Sequence, residues 1–325
     1  DAPINEEIAD LCFGLGKACV ASTTGTPDQV IENLTKAFDY YFESKSVEKA
    51  VAVSTFPVPL NLGMSDKKSL DMLENSLTIA SSESIEAGRV HNRYALAVGL
   101  TTGDYESASD HLINAQSIAE SLNDLELQLA VSASGAAIDW FHIRWDSARE
   151  KSFRALEFAK KITNPSAEWN ATIWALNASV AAGDLSKAQD VAETAVDVAW
   201  KLRNKGEVAL AHALSARVWE VVGNWNKARF HLTESLSMSP SQTQALLGAT
   251  LMELQIGNVE EGMKYLSTLE AAANSTQRGP NLPWAQFGIA NLLAYRMTEN
   301  ENHLTTGVDT ATFLLEEGGS PFIEL

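Results

Sequence analysis

Residues 215–242 read SARVWEVVGNWNKARFHLTESLSMSPSQ, and the punctuation of this stretch decides the fold. Trp219 stands four residues before Gly223, Asn224 and Trp225 follow at once, and Ala228 and Leu232 lie five and nine residues past the glycine. Glycine takes positive φ without steric penalty, so Gly223 is suited to end one helix, and the side-chain oxygen of Asn224 to cap the next. The apolar residues at +5 and +9 then keep to one stripe of the second helix. Further on, Ser239-Pro240-Ser241-Gln242 sets proline at a first helical position inside a Ser-x-x-Gln capping box. The stretch therefore predicts helix, tight turn, helix, and the start of a third helix.

The same punctuation recurs along the chain as Gly103-Asp104-Tyr105, Gly183-Asp184-Leu185 and Gly257-Asn258-Val259, with Ala108, Ala188 and Gly262 at +5. The four glycines are spaced by 80, 40 and 34 residues, so the long interval should hide a turn near position 143. There the chain reads Arg144-Trp145-Asp146-Ser147-Ala148, with the aromatic and the alanine in place and the glycine missing. Stepping back by the same period reaches Gly63 and then Gly25, the latter followed by Val30 and Leu34. Helix pairs are expected at about 5–22 with 27–43, 46–55 with 66–82, 86–102 with 104–122, and 124–142 with 146–162. They continue at about 166–182 with 184–203, 206–222 with 224–238, 241–256 with 258–273, and 284–297 with 304–316. Asn164-Pro165 gives a further helix start, and Pro57 and Pro59 should shorten the first helix of the second pair. Period-two alternation is absent. The fold class is all-α, a solenoid of about eight antiparallel pairs in a right-handed superhelix, read as one domain over 1–325 with a hinge at 274–283.

Composition agrees with this reading. Hydrophobic residues make up 45% and charged residues 20% of the chain, the balance of a folded protein. The 24 basic and 42 acidic residues leave a net charge of −18, which repels a phosphate backbone and argues against direct nucleic-acid binding. No apolar run is long enough for a membrane helix. Cys12 and Cys19 are separated by two helical turns, too far for a relaxed disulfide, and are expected as reduced core residues in a cytoplasmic protein. A start at Asp1 and a stop after Pro321-Phe322-Ile323 suggest a segment of a longer parent.

Trp219, Gly223, Trp225, Ala228, Leu232 and the closing Pro240 resemble the tetratricopeptide signature. Units near 40 residues, with Leu15-Gly16 and Ala37 in the first, look similar to the helical repeats of MalT-like and LuxR-type regulators and of ATPase-linked cyclases. In those families the array adjoins an ATPase module and an output module and receives an inducer or a partner protein. The resemblance implies a cytoplasmic sensor or interaction segment in signalling or transcription regulation. No GxxxxGK[ST], helix-turn-helix or cyclase motif occurs in this chain, so none of those modules' residues can be carried over. A free-standing adaptor is the alternative. An α/α-toroid carbohydrate-active enzyme stands further off, because short turns leave nothing from which to build a catalytic rim.

Motifs that resemble chemistry dissolve on reading. Gly14-Leu15-Gly16-Lys17 lacks the Ser or Thr and the spacing of a phosphate loop and lies within a helix. His91, His111, His142, His212, His231 and His303 form no ligand spacing and read as structural, so no catalytic residue, metal site or cofactor is expected. The tryptophans recur at equivalent repeat positions and read mainly as packing. In tetratricopeptide arrays the first helix of each pair lines the binding surface, and projection onto that face selects Arg93, Trp140, Asn170, Ile173, Asn177, Arg217, Glu220 and Gln244. Such side chains suit a protein or peptide partner or a small-molecule inducer, with Asn177 for backbone amides, Arg217 for a carboxylate and Glu220 orienting that arginine.

Overall fold

The computed structural model describes residues 4–22, 26–58, 67–276, 282–317 and 321. Among them are sixteen helices and no strand. The first six are α1 (Glu6–Ser22), α2 (Pro27–Glu43), α3 (Val47–Ser54), α4 (Lys67–Ile79), α5 (Ile85–Thr101) and α6 (Tyr105–Ser121). Next come α7 (Leu125–Phe141), α8 (Trp145–Ala159), α9 (Pro165–Ala181), α10 (Leu185–Trp200) and α11 (Lys205–Val221). The last five are α12 (Trp225–Met238), α13 (Thr243–Gln255), α14 (Val259–Asn274), α15 (Leu282–Thr298) and α16 (Glu301–Glu317). The eight expected pairs are all present. The expected turns at Gly25 and Gly63, the shortening by Pro59, and the centre of the expected hinge lie outside the described residues.

Contacts gather the chain into two compact units, Asp1–Ile138 and Asp139–Leu325, divided within α7. In the first, α2 packs on α1, α3 and α4, and α5 packs on α4 and α6. Leu34, Phe38, Tyr41, Ala50 and Met72 form much of its core, with Cys12 and Cys19 packed against it. Lys49 clamps this corner by reaching Glu6 at 2.8 Å and Asp10 at 3.1 Å. In the second unit the first helices stand side by side, α9 on α11, α11 on α13 and α13 on α15, while α10, α12 and α14 each pack between consecutive first helices. Within each unit the packed helices lie one or two places apart along the chain, which is the contact pattern of a solenoid.

The turns have one geometry. Gly103, Gly183, Gly223 and Gly257 adopt φ of 69°, 73°, 79° and 86°. Asp184 N–H bonds to the Ser179 carbonyl at 2.9 Å and Gly183 N–H to Val180 at 3.1 Å, the paired bonds of a Schellman ending, and the Gly223 and Gly257 turns repeat them. Asp104, Asp184 and Asn224 then accept from the third backbone N–H of the next helix. The turn inferred at 143 is there too: Ile143 takes φ of 62° and Arg144 N–H reaches the Asp139 carbonyl at 2.8 Å. A β-branched residue is strained in this region, and Arg144 supplies no side-chain cap.

Past each turn, Ala108, Ala148, Ala188 and Ala228 are fully buried at +5. Gly262 holds the equivalent place because a Cβ there would lie 2.8 Å from Leu254 Cγ. Four residues before two of the turns, buried acids replace an apolar side chain. Asp139 is held by Ser147 and Lys151, each at 2.6 Å, and Glu253 by Arg229 and by Asn258 at 2.9 Å.

Two local expectations are corrected. Ser239–Gln242 is not a capping box. Gln242 N–H closes on the Ser239 carbonyl at 3.0 Å in a turn with Pro240 at its second position, and α13 begins only at Thr243. The penultimate pair's successor starts at Leu282 instead of Trp284, since Pro283 fits the first turn of a helix, where its missing N–H has no partner to lose.

Two substitutions test this account. Ile143→Gly removes the left-handed strain and should stabilise the chain by about 1 kcal/mol, whereas Gly183→Ala, with open space around it, should cost about 1 to 2 kcal/mol through backbone strain alone. Denaturant midpoints decide, and a loss at Ile143→Gly would mean that its side-chain contacts outweigh the strain. Ala228→Leu should destabilise by roughly 1 to 3 kcal/mol while Ser237→Leu, on the exposed side of the same helix, stays within about 0.5 kcal/mol.

Candidate functional site

The projected residues divide once the side chains are in place. In the first unit Arg93 turns inward: its Nη2 donates to the Val58 carbonyl at 2.7 Å, among Leu34, Val53, Phe56, Met72 and Leu73. Burial holds its pKa down to about 10. A long side chain leaving the expected face has folded back onto a carbonyl beyond the end of α3, so Arg93 is a structural contact and not part of an open surface. Trp140 in the second unit is likewise buried, packed edge-on against Phe141 at 5.0 Å and near Trp174 at 6.0 Å. Asn170 is exposed and accepts from the Trp174 indole N–H at 3.2 Å. Ile173 is half-buried against the core.

The remaining four lie on the first helices α9, α11 and α13 of the second unit. α11 is buried on nearly every side, through Val208, Ala209, Ala211 to Ala216, Val218 and Trp219. Its one open lane carries half-buried Leu210, exposed Arg217, half-buried Glu220 and exposed Val221. Asn177 on α9 precedes Gly183 by the same six residues that separate Arg217 from Gly223, so the two occupy matching registers on packed helices. The Asn177 amide donates to the Ile173 carbonyl at 3.0 Å. Gln244 on α13 has a buried Oε1 with no hydrogen-bond partner among the described residues.

Arg217 and Glu220 are each partly desolvated by the protein around them. Arg217 is reached by solvent, yet the protein around it lowers its pKa by desolvation, with Glu220 acting weakly in the opposite sense. Desolvation likewise raises Glu220, and Arg217 lowers it. Neither side chain makes a hydrogen bond or ion pair to any described residue. Glu220 thus acts on Arg217 through space and not through an ion pair. Half-exposed Val180, Leu247 and Leu251 lie on the flanking first helices α9 and α13.

Sequence reasoning missed two histidine pairs. His91 on α5 and His111 on α6 approach Nδ1 to Nδ1 at 2.9 Å, and His212 on α11 meets His231 on α12 in the same way at 2.9 Å. Both second histidines stand eight residues past the turn glycine, a recurrence visible in the sequence only once the turns are aligned. One ring must donate and the other accept, so each contact admits a single proton. Burial lowers all four pKa values, most of all for His231, to about 4, where His212 and Lys227 push the same way and Glu193 opposes. Asp110 and Glu74 oppose the shift at His111, and Glu234 does so at His212. No group of three or more His, Cys, Asp or Glu placed to hold a metal occurs among the described residues, and no described helix is long and apolar enough to cross a membrane.

No protein-family model matches the chain, and no curated protein matches it in sequence. Solved structures do match its fold. A signal transduction ATPase with a tetratricopeptide repeat sensor, from Pyrococcus horikoshii, aligns at 14% identity and TM-score 0.57 over 96% of this chain, which spans only 54% of that protein. The apo form of RapI aligns at 9% identity and TM-score 0.58, covering 95% of this chain and 86% of its own. A Rap protein complexed with competence and sporulation factor aligns at 10% identity and TM-score 0.57, with 96% and 98% covered. At these identities the likeness establishes the fold, an array of tetratricopeptide-type helical repeats.

The histidine pairs give a pH dependence whose sign is fixed. Their folded pKa values lie below the unfolded value near 6.5, so their contribution to stability is full above about pH 6.5, shrinks as pH falls, and is exhausted once His231 titrates at about 4. Urea midpoints of the wild type should therefore drop more steeply between about pH 6.5 and 4 than those of a His212→Gln, His231→Gln double variant, in which the carboxylate contributions are retained. Parallel profiles would show that the second pair tolerates two protons.

Proposed function

We propose that this chain is a binding module, without catalysis of its own, whose open first-helix face in the second unit takes a peptide or an extended segment of a protein partner. The observation that carries this reading is Arg217. It is an exposed guanidinium on a rigid, otherwise buried helix, partly desolvated by the protein around it and held in no ion pair, with Glu220 acting on it only through space. A carboxylate delivered by a ligand would form a charge-assisted, two-pronged pair there, and Asn177 and Gln244 would offer amide groups to a peptide backbone. Desolvation of the site strengthens such a pair relative to one on an open surface. The apolar residues of the lane and its neighbours, Leu210, Val180, Leu247 and Leu251, would receive side chains of the bound segment.

The likeness to solved repeat proteins supports a receptor role. One is described as holding competence and sporulation factor, and another, a conjugation gene regulator of the plasmid pLS20, as holding the Phr* peptide. The longer ATPase carries its repeats as a sensor, which supports placing the chain in a signalling ATPase or transcriptional regulator of the kind the sequence resembles.

A peptide enriched by display selection on the wild-type chain serves as probe. Arg217→Ala should weaken its binding by about 1 to 3 kcal/mol and move the denaturant midpoint by no more than about 0.5 kcal/mol, because the side chain lies on the open lane and outside the inter-helix core. Unchanged affinity, or a loss of affinity tracking a comparable loss of stability, would remove Arg217 from the binding surface.

A further inference from the structure

Oppositely charged residues spaced by three with the acid first pair at three places, Arg149 with Asp146 at 3.4 Å, Lys187 with Asp184 at 3.6 Å, and Lys264 with Glu261 at 3.1 Å, although Glu86 and Arg89 on α5 do not. Arg217 and Glu220 have the same spacing on α11 and do not pair. The order of charges differs. In the three pairs the acid precedes the base, whereas here the base comes first, the less favourable arrangement on a helix because side chains lean toward the N-terminus. Two opposite charges thus stand one turn apart on one lane, neither held in an ion pair.

We infer that the ligand of this face is bipolar, presenting an anionic group to Arg217 and a cationic group to Glu220 about one helical turn away. The inference rests on the binding role proposed above and narrows it. A purely anionic ligand would gain Arg217 and be repelled by Glu220, and a purely cationic one would meet the reverse, so only a ligand with both signs gains from both residues. The two side chains leave the helix about 5 to 6 Å apart at Cβ. In an extended peptide, residues two apart point to the same side and are separated by roughly 6.5 to 7 Å. An acid and a base at alternate positions therefore match the lane. The desolvation that lowers Arg217 and raises Glu220 is relieved when both are met at once.

The test is a selection of random 12-residue peptides displayed against the full chain as wild type, Arg217→Gln and Glu220→Gln, each first shown by thermal melt to be folded. The wild type should enrich peptides with an acid and a base two positions apart. Glu220→Gln should keep the enriched acid and lose the base, and Arg217→Gln should do the opposite. A synthetic wild-type-selected peptide should bind Glu220→Gln roughly tenfold more weakly. Enrichment of peptides with no charge signature, or of the same set by wild type and Glu220→Gln, would overturn the bipolar ligand while leaving a binding role in place. No enrichment above an unrelated control protein would overturn both.

Discussion

An antiparallel helix pair exists only if the first helix stops where the second can come back against it, and in this chain that stop is one residue forced into left-handed backbone. The bonds around Gly183, Gly223 and Gly257 satisfy the last carbonyls of one helix, and at Gly183 and Gly223 the following Asp or Asn satisfies an early N–H of the next, so a single turn settles polar groups at two helix ends. Lys45, Asn123 and Arg203 take the same left-handed backbone between pairs, at φ of 59°, 51° and 53°. Everything else follows from the spacing these residues impose. It decides that +5 meets the first helix, that +5 must be small, and that eight past the turn lies opposite the histidine of the preceding helix.

The second constraint is the near-complete burial of α11. A helix buried on almost all sides has little freedom to shift or rotate, so the side chains on its remaining lane are presented by a rigid support. Arg217 and Glu220 are accordingly fixed at their roots, and mobility is left to the outer bonds of each side chain. Charged groups in such a place are poor contributors to stability, since they are partly desolvated and not joined in an ion pair. Their placement accords with the binding role proposed for this lane.

Much of the fold was legible because the turn chemistry is local. The glycines, the small residues five beyond them, and the turn lacking its glycine at Ile143 could all be read from spacing. The Ser-x-x-Gln pattern at Ser239 misled because a proline fits both a first helical turn and the second position of a β-turn, and nothing local separates them. Arg93 and Trp140 misled for a different reason. Register states in which direction the Cα–Cβ bond leaves a helix, and it does not state whether a long guanidinium folds back to the Val58 carbonyl or a wide indole lies down on Phe141. Arg217, by the same projection, remained on the open lane because the helices around α11 leave it no interior acceptor. The histidine pairs were invisible to motif spacing, since their members sit on two helices and are brought together only by the length of the turn.

Each histidine pair also couples the two outer ring nitrogens. When the shared proton sits on His212 Nδ1, the neutral His212 ring must bear a bare Nε2, and His231, accepting at Nδ1, must carry its own proton on Nε2. Moving the inner proton across the 2.9 Å gap, with His231 Nε2 giving up its proton and His212 Nε2 taking one from its surroundings, reverses both outer roles, so that the ring that accepted at Nε2 now donates and its partner now accepts. The pair is thus a two-state dipole in which neither tautomer can change alone. Any group bonded to one outer nitrogen fixes the hydrogen-bonding character of the other, on a different helix, with no displacement of the backbone. The same relation holds for His91 and His111 in the first unit, so each unit contains one such element joining the two helices of a repeat.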